Sequence, residues 1–213
     1  MEQRHKVLLI NGSPKPKGCI ARAFDEIENT LHSLDIDTQR IDVAGQDIRG
    51  CIACMHCRTA GKCVFDDIVN RTAPLLAEAD GLIVDTPTYY AGSNGSVISL
   101  LDRLFYSTAT TVDKTMKVGA AVVSSRRAGS TSAFDEINKY FTICSMPIAA
   151  STYWNEVHGY TGEDVEHDLE GLQTMRNLAR NMAFLIRAIA DRKAADGLPE
   201  QERGTFTSFF AER

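Results

Sequence analysis

The sequence predicts an α/β protein: a doubly wound, five-stranded parallel sheet with helices on both faces. Three observations carry this. Short apolar runs bounded by turn residues recur along the chain, as buried parallel strands do. Between them lie segments whose apolar residues repeat at helical spacing. Strand and helix alternate throughout, with no internal repeat, low-complexity tract or interdomain linker. The 213 residues suffice for one good-sized core.

The elements follow in order. "HKVLLINGSP" reads as a buried strand running into a turn, and "CIARAFDEIENTLHSL" as a helix, with Ile20, Ala23, Phe24, Ile27, Leu31 and Leu34 on one face. "DTQRIDVAG" is a weaker, shorter strand. "IVNRTAPLLAEAD" is a helix in which Pro74 predicts a break or a late start. "GLIVDTPTYY" is the third strand, and "SVISLLDRLFYST" a helix with Val97, Leu100, Leu101, Leu104 and Phe105 on one side. "KVGAAVVSS" is the fourth strand, "TSAFDEINKYFTICS" another helix, and "MPIAASTYW" the fifth strand. One long amphipathic helix is expected from Glu163 to about Arg192, and the tail ends in Phe206, Phe209 and Phe210, which no pattern places.

Charge and hydropathy narrow the function classes. A net charge of −5 argues against nucleic acid as partner, since neutralising phosphates needs a basic face. No apolar run approaches the roughly 20 residues of a membrane helix. The five-residue apolar run in "MEQRHKVLLI" is too short for a signal-peptide core, so a cytoplasmic location is expected. Thiols there are normally reduced, which disfavours a disulfide framework.

Five strands of this kind suit the flavodoxin-like order 2-1-3-4-5, in which ligands bind at the carboxyl ends of the strands where the order reverses. The candidate loops are those after strands one, three and four. Loop one, "NGSPKPKGC", joins a strand to a helix start. Gly12 and Gly18 let the backbone approach a ligand, Ser13, Lys15 and Lys17 offer donors or charge, and free N–H groups suit a phosphate. It is neither a P-loop nor the dinucleotide fingerprint, and an ordinary glycine-rich turn is the alternative. Loop two, "DTPTYYAGSNGS", combines Pro87, Thr88, Tyr89, Tyr90, Gly92, Ser93 and Asn94: an aromatic wall with backbone donors, as a flat heteroaromatic ligand requires. Loop three, "SSRRAGST", offers Ser125, Arg126 and Arg127 for an anion, or is a solvated charged turn.

The strongest anomaly is "CIACMHCRTAGKC", where Cys51, Cys54, Cys57 and Cys63 fall in a C-x2-C-x2-C-x5-C pattern. Such runs suit iron–sulfur ligation. Zinc usually takes two knuckles separated by a longer stretch. Free thiols and redox disulfides stay open, and His56 inside the motif reads as a surface residue.

Together the three loops describe a site with a phosphate end and a flat aromatic end, a shape that FMN fits. At these motifs the chain resembles the NAD(P)H-dependent FMN reductases of flavodoxin-like fold, and within them the iron–sulfur flavoproteins. "NGSPKPKG" is similar to the family's phosphate loop, "TPTYYAGSNGSVISLLDRL" to its isoalloxazine loop and following helix, and "DLEGLQTMRNLARNMAFLI" to its C-terminal helix; the resemblance covers most of Lys6 to Lys193. One departure is Cys19-Ile20, where the family often has Asn-Thr or Asn-Ser. Ser13, Lys15 and backbone N–H groups then replace a phosphate-binding hydroxyl, and Cys19 at a helix start is either a low-pKa thiol or a small buried residue.

The resemblance implies a flavodoxin-like FMN-binding domain over 1–195 with an inserted cysteine loop at 49–65, and a tail over 196–213. It implies FMN held by Ser13, Lys15, Gly18, Cys19, Ile20, loop two, Ser125 and Arg126, and a [4Fe–4S] cluster on Cys51, Cys54, Cys57 and Cys63. NAD(P)H is the implied reductant, a small molecule or a protein the electron acceptor, and a homodimer or homotetramer the assembly. The alternatives are a cluster-free NAD(P)H quinone or metal reductase and a non-redox, zinc-stabilised binding module. A phosphorelay receiver is excluded, because it needs an acidic pair where this chain has Asn11-Gly12.

Overall fold

A computed structural model describes residues 4–202, 204, 205 and 207. Its elements are β1 (Lys6–Asn11), α1 (Cys19–Ser33), β2 (Asp37–Asp42), α2 (His56–Ala60), α3 (Ile68–Glu78), β3 (Gly81–Tyr89), β4 (Gly92–Ser93), α4 (Gly95–Ser107), β5 (Val118–Ser125), α5 (Ser130–Thr142), β6 (Glu156–His158), α6 (Gly162–Val165) and α7 (Leu169–Asp196). The parallel strands lie in the order β2-β1-β3-β5-β6, and the two-residue β4 pairs antiparallel with β3 off that path. The expected flavodoxin-like α/β architecture is present; only the extra short strand changes the count.

Strand alternation divides the core into two layers. Val7, Leu9, Ile83, Ala120 and Val122 point to one face, where they meet α1 and α7 through Phe24, Ile27, Leu178 and Met182. Leu8, Ile10, Leu82, Val84 and Ala121 point to the other, against α3, α4 and α5. Each fully buried Leu, Ile or Phe contributes about 1.5–3 kcal/mol. Gly119 keeps β5 in contact with α5, because a Cβ there would stand 2.5 Å from the Phe141 ring.

Three elements depart from the sequence reading. First, α3 runs unbroken through Pro74. Its buried face of Ile68, Val69, Thr72 and Leu76 and its Asp67 cap outweigh the missing hydrogen bond. Second, "MPIAASTYW" is not a strand: only Ile148 bridges Gly119, and the fifth parallel strand forms later, at Glu156–His158. Pro147 lacks an N–H. Ser151 Oγ lies 2.6 Å from the Tyr153 carbonyl and 2.7 Å from Asn155 Oδ1, within reach to donate its one proton to either, so local bonds replace the ladder. Third, the long C-terminal helix is two. Asp168 ends the approach by accepting from Gly171 N at 2.9 Å and from His158 N at 2.7 Å, and α7 begins there. Phe206, Phe209 and Phe210 lie outside the described residues. Among those described, no helix is long and apolar enough to cross a membrane.

Candidate functional site

The loops after β1, β3 and β5 meet at the carboxyl edge of the sheet. Gly12 N donates to the Asp85 carbonyl at 2.9 Å, an approach only glycine allows, since its Cβ would stand 2.3 Å from that oxygen. Asn94 Nδ2 donates to the Gly12 carbonyl at 2.6 Å, and Asn94 N to Thr86 Oγ1 at 2.8 Å. Gly129, at φ +88°, lets the third loop pack on Ala91 and Thr88.

Loop one is built around Ser13, which is buried; Ser13 N donates to Asn11 Oδ1 at 3.0 Å, and Ser13 Oγ accepts from Lys15 N at 3.1 Å. Lys15 is exposed, with its Nζ 5.0 Å from the centre of the Tyr160 ring. Gly18 caps α1 without a side-chain hydrogen bond. The first-turn N–H groups, at Cys19 and Ile20 among others, have no acceptor within the helix and suit a phosphate. The Ile20 side chain is buried, so only its backbone serves the loop. Cys19 is a buried thiol donating to the Thr161 carbonyl at 3.2 Å, and burial pushes its pKa up. The low-pKa alternative is thereby corrected: desolvation outweighs the helix start.

The second loop is a hairpin. Thr88 and Tyr89 pair with Ser93 and Gly92, and the two central residues, Tyr90 at φ +50° and Ala91 at φ +60°, have the positive angles of a type I′ turn. That turn leaves Tyr90 fully exposed and Tyr89 half-exposed. Thr88 Oγ1 is buried without a partner, an acceptor and donor available to a ligand. Pro87, Gly92 and Ser93 are part-buried, and Ser93 N donates to Glu136 Oε2 at 2.9 Å. In loop three Ser125 is buried, while Arg126 and Arg127 are exposed. The uncapped helix start, the glycine cradle and the orphan hydroxyl fit a phosphorylated flat ligand such as FMN.

Sequence reasoning missed two groups here. Ser125 Oγ lies 3.3 Å from His158 Nδ1, and His158 Nε2 lies 3.7 Å from Glu156 Oε1; the strand misassignment hid them. Asp85 is fully buried, with both carboxylate oxygens unpartnered. Burial raises its pKa well above the usual carboxylate range. An Asp at the end of an apolar run gives no sequence signal of this.

The cysteine segment forms a second site. Ala53, Met55 and Gly61 have positive φ of 53°, 60° and 68°, and these bends wrap the segment around the short helix α2. All six cysteines are free. Cys51, Cys54, Cys57 and Cys63 line one apolar hollow with Met55, Phe65, Arg103 and Tyr106, while His56 is exposed. Among the described residues, no three Cys, His, Asp or Glu side chains are arranged to hold a single metal ion. The donor set itself fits an iron–sulfur cluster: four thiols around one apolar hollow, Cys51 and Cys54 exposed and Cys57 and Cys63 part-buried, with Cys63 hydrogen-bonded by an arginine. Burial pulls the Arg103 pKa down, but hydrogen bonds to Asp67 and Cys63 outweigh it and keep the guanidinium charged. Arg103 is buried on α4, although an arginine by its residue type is expected at the surface. A separate cavity of about 910 Å³, beside Tyr106, Lys114 and Tyr140, shares no residue with the three loops.

Fold and cleft define a flavodoxin-like, FMN-binding redox protein. The chain belongs to the NADPH-dependent FMN reductase family, whose profile matches residues 5–161. It is 32% identical to an iron-sulfur flavoprotein of Methanocaldococcus jannaschii over 193 residues, covering 86% of this chain and 98% of that protein. It is 25% identical to the iron-sulfur flavoprotein of Methanosarcina thermophila, over 86% of this chain and 96% of the relative. Among solved structures, RosB superposes with TM-score 0.67 at 13% identity, covering 98% of this chain and 95% of that one. A WrbA-like flavodoxin of Agrobacterium tumefaciens gives 0.60 at 12%, covering 87% and 99%. These two speak for the fold alone. The family match sets the non-redox binding module aside: the chain is an oxidoreductase.

Proposed function

We propose that this oxidoreductase takes electrons from NAD(P)H onto FMN and passes them to a small molecule or protein acceptor through a [4Fe–4S] cluster. The observation that carries the reading is the pairing of the flavin cleft with a hollow lined by all four motif cysteines.

When bound, FMN supplies the hydride and electron chemistry. The chain binds and orients. Ser13, Lys15 and Gly18, with the amides of Cys19 and Ile20, hold the phosphate on the start of α1. Pro87, Thr88, Tyr89, Tyr90, Gly92, Ser93 and Asn94 would frame the ring, and Ser125 and Arg126 of the neighbouring loop would also contact the cofactor. Arg126 and Arg127 favour the extra phosphate of NADPH. Cys51, Cys54, Cys57 and Cys63 hold the cluster. No side chain is assigned as acid or base. A homodimer or homotetramer in the cytoplasm is the expected assembly and place, and the chain's relatedness to iron-sulfur flavoproteins over most of its length supports the cluster.

The test is an anaerobic ultraviolet–visible spectrum of fresh protein, with iron and acid-labile sulfide assayed on the same sample, then NADH and NADPH added in turn. Flavin bands over a broad brown absorption, equal iron and sulfide, and bleaching by a nicotinamide are expected. Flavin bands without iron would replace the cluster carrier by the cluster-free reductase.

A further inference from the structure

We propose that Arg103 is a positioning residue for the cysteine site: it fixes Cys63 and raises the reduction potential of the cluster held there. The inference rests on the cluster reading above.

The Arg103 side chain is 1% exposed. Nη1 and Nη2 donate to the Asp67 carboxylate at 2.8 and 2.9 Å, and Nη1 also donates to the Arg49 carbonyl at 3.1 Å. Nε and Nη2 donate to Cys63 Sγ at 3.3 and 3.2 Å. The guanidinium lies 4.9 Å from the centre of the Phe65 ring. A charge buried this deeply needs a partner. The bidentate Asp67 provides one and also locks the plane of the fork. The remaining edge of that plane is turned onto a sulfur.

Among the described residues, Cys63 is the one cysteine of the four whose Sγ accepts a side-chain N–H. Two N–H groups on a thiol are a weak pairing; on a thiolate they are charge-assisted and shorter. Hydrogen bonds to ligand sulfurs are among the determinants of cluster potential. Their sign follows from Coulomb's law: donors aimed at a sulfur stabilise the more negative, reduced state. Asp67 offsets the arginine's net charge at a distance, but the two N–H dipoles face Cys63 directly. Lysine cannot copy this, having no planar fork.

The same helix serves the flavin cleft. Asn94 caps α4, and Arg103 lies nine residues further on, about 14 Å along the axis at the usual helical rise. One rigid element therefore sets the reach between the two sites.

The test uses Arg103→Lys, Arg103→Gln and Asp67→Asn beside the wild type, all purified anaerobically. FMN, iron and sulfide are assayed, and cluster and flavin midpoints are followed by spectroscopic redox titration. The arginine variants are expected to keep FMN, and either to lose half or more of the iron or to show a cluster midpoint shifted negative with the flavin midpoint unmoved. Asp67→Asn keeps a capping oxygen for Val69 N but removes a negative charge, so its cluster midpoint is expected to shift positive. That variant carries the test if an arginine variant fails to fold. Full iron with wild-type midpoints would overturn the role of Arg103 and leave the cluster reading standing. A wild type free of iron and sulfide would overturn both.

Discussion

The side chain of Asn94 donates to the carbonyl of Gly12 at 2.6 Å while its Oδ1 accepts from Ser96 N at 3.1 Å. One residue thus caps α4 and ties the loop after β1 to the loop after β3. Together with the Gly12 N–Asp85 carbonyl bond, its amide joins the two halves of the proposed flavin cleft.

Replacing that amide separates its two roles. Asn94→Asp keeps an oxygen for the cap and loses the donor to Gly12; Asn94→Ala loses both. Loss of a cap costs about 1 kcal/mol, and a buried carbonyl left unpaired about 1–3 kcal/mol. Urea denaturation of the apoprotein is expected to rank wild type above Asn94→Asp above Asn94→Ala. FMN titration is expected to show weakened binding in both variants. Equal FMN affinity in all three would mean that the tie does not shape the cleft.

Gly12→Ala probes the same crossing from the other side. Its Cβ would sit 2.3 Å from the Asp85 carbonyl oxygen and 3.0 Å from the Val97 Cβ, so strand or loop must move. Overpacking of this kind costs about 1–3 kcal/mol. At about 2–4 °C per kcal/mol for a chain of this size, thermal unfolding should fall by several degrees. FMN should also copurify at a lower ratio.

Asp85 gives a pH dependence whose sign is fixed by burial. Its folded pKa lies well above the unfolded value of 3.8, so the folded state holds a proton that the unfolded state has released. Stability therefore falls as pH rises above about 4 and levels off above the folded pKa. Asp85→Ala is expected to lose this slope. Relative to wild type, the variant should gain stability between pH 4 and pH 8, read as the change in urea midpoint. Parallel profiles for the two proteins would place the carboxyl's ionisation elsewhere.

The central strands β1, β3 and β5 were legible because they are continuous apolar runs, and the turns of loops one and two because glycine and proline mark them. Less legible were features decided by tertiary contact. Pro74 sits inside α3 because the packed face around Leu76 outweighs a local rule. "MPIAASTYW" has a strand's composition, yet Ser151 and Asn155 satisfy the nearby backbone instead. Arg103 is legible only once Asp67 and Cys63 stand beside it, since arginine alone predicts a surface position. Asp67 had a signal, an Asp directly before the apolar start of α3, but a cap does not announce the second partner it holds.

The cysteines offer a contrast within one chain. Cys51, Cys54, Cys57 and Cys63 share a hollow, whereas Cys19 is buried beneath loop one and Cys144 lines the separate cavity near Lys114. Serine is close in size to cysteine but a poor ligand for iron in a sulfur site. Each of the four motif Cys→Ser variants is expected to lose half or more of its iron and sulfide while keeping FMN, because the flavin cleft shares none of these side chains. Cys19→Ser and Cys144→Ser should keep both metal and flavin; at Cys19 a serine hydroxyl can still donate to the Thr161 carbonyl. Iron analysis and flavin absorbance on the six variants check this. Iron loss spread evenly over all six would point to general unfolding, and iron retained in the motif variants would remove the cluster from Cys51–Cys63.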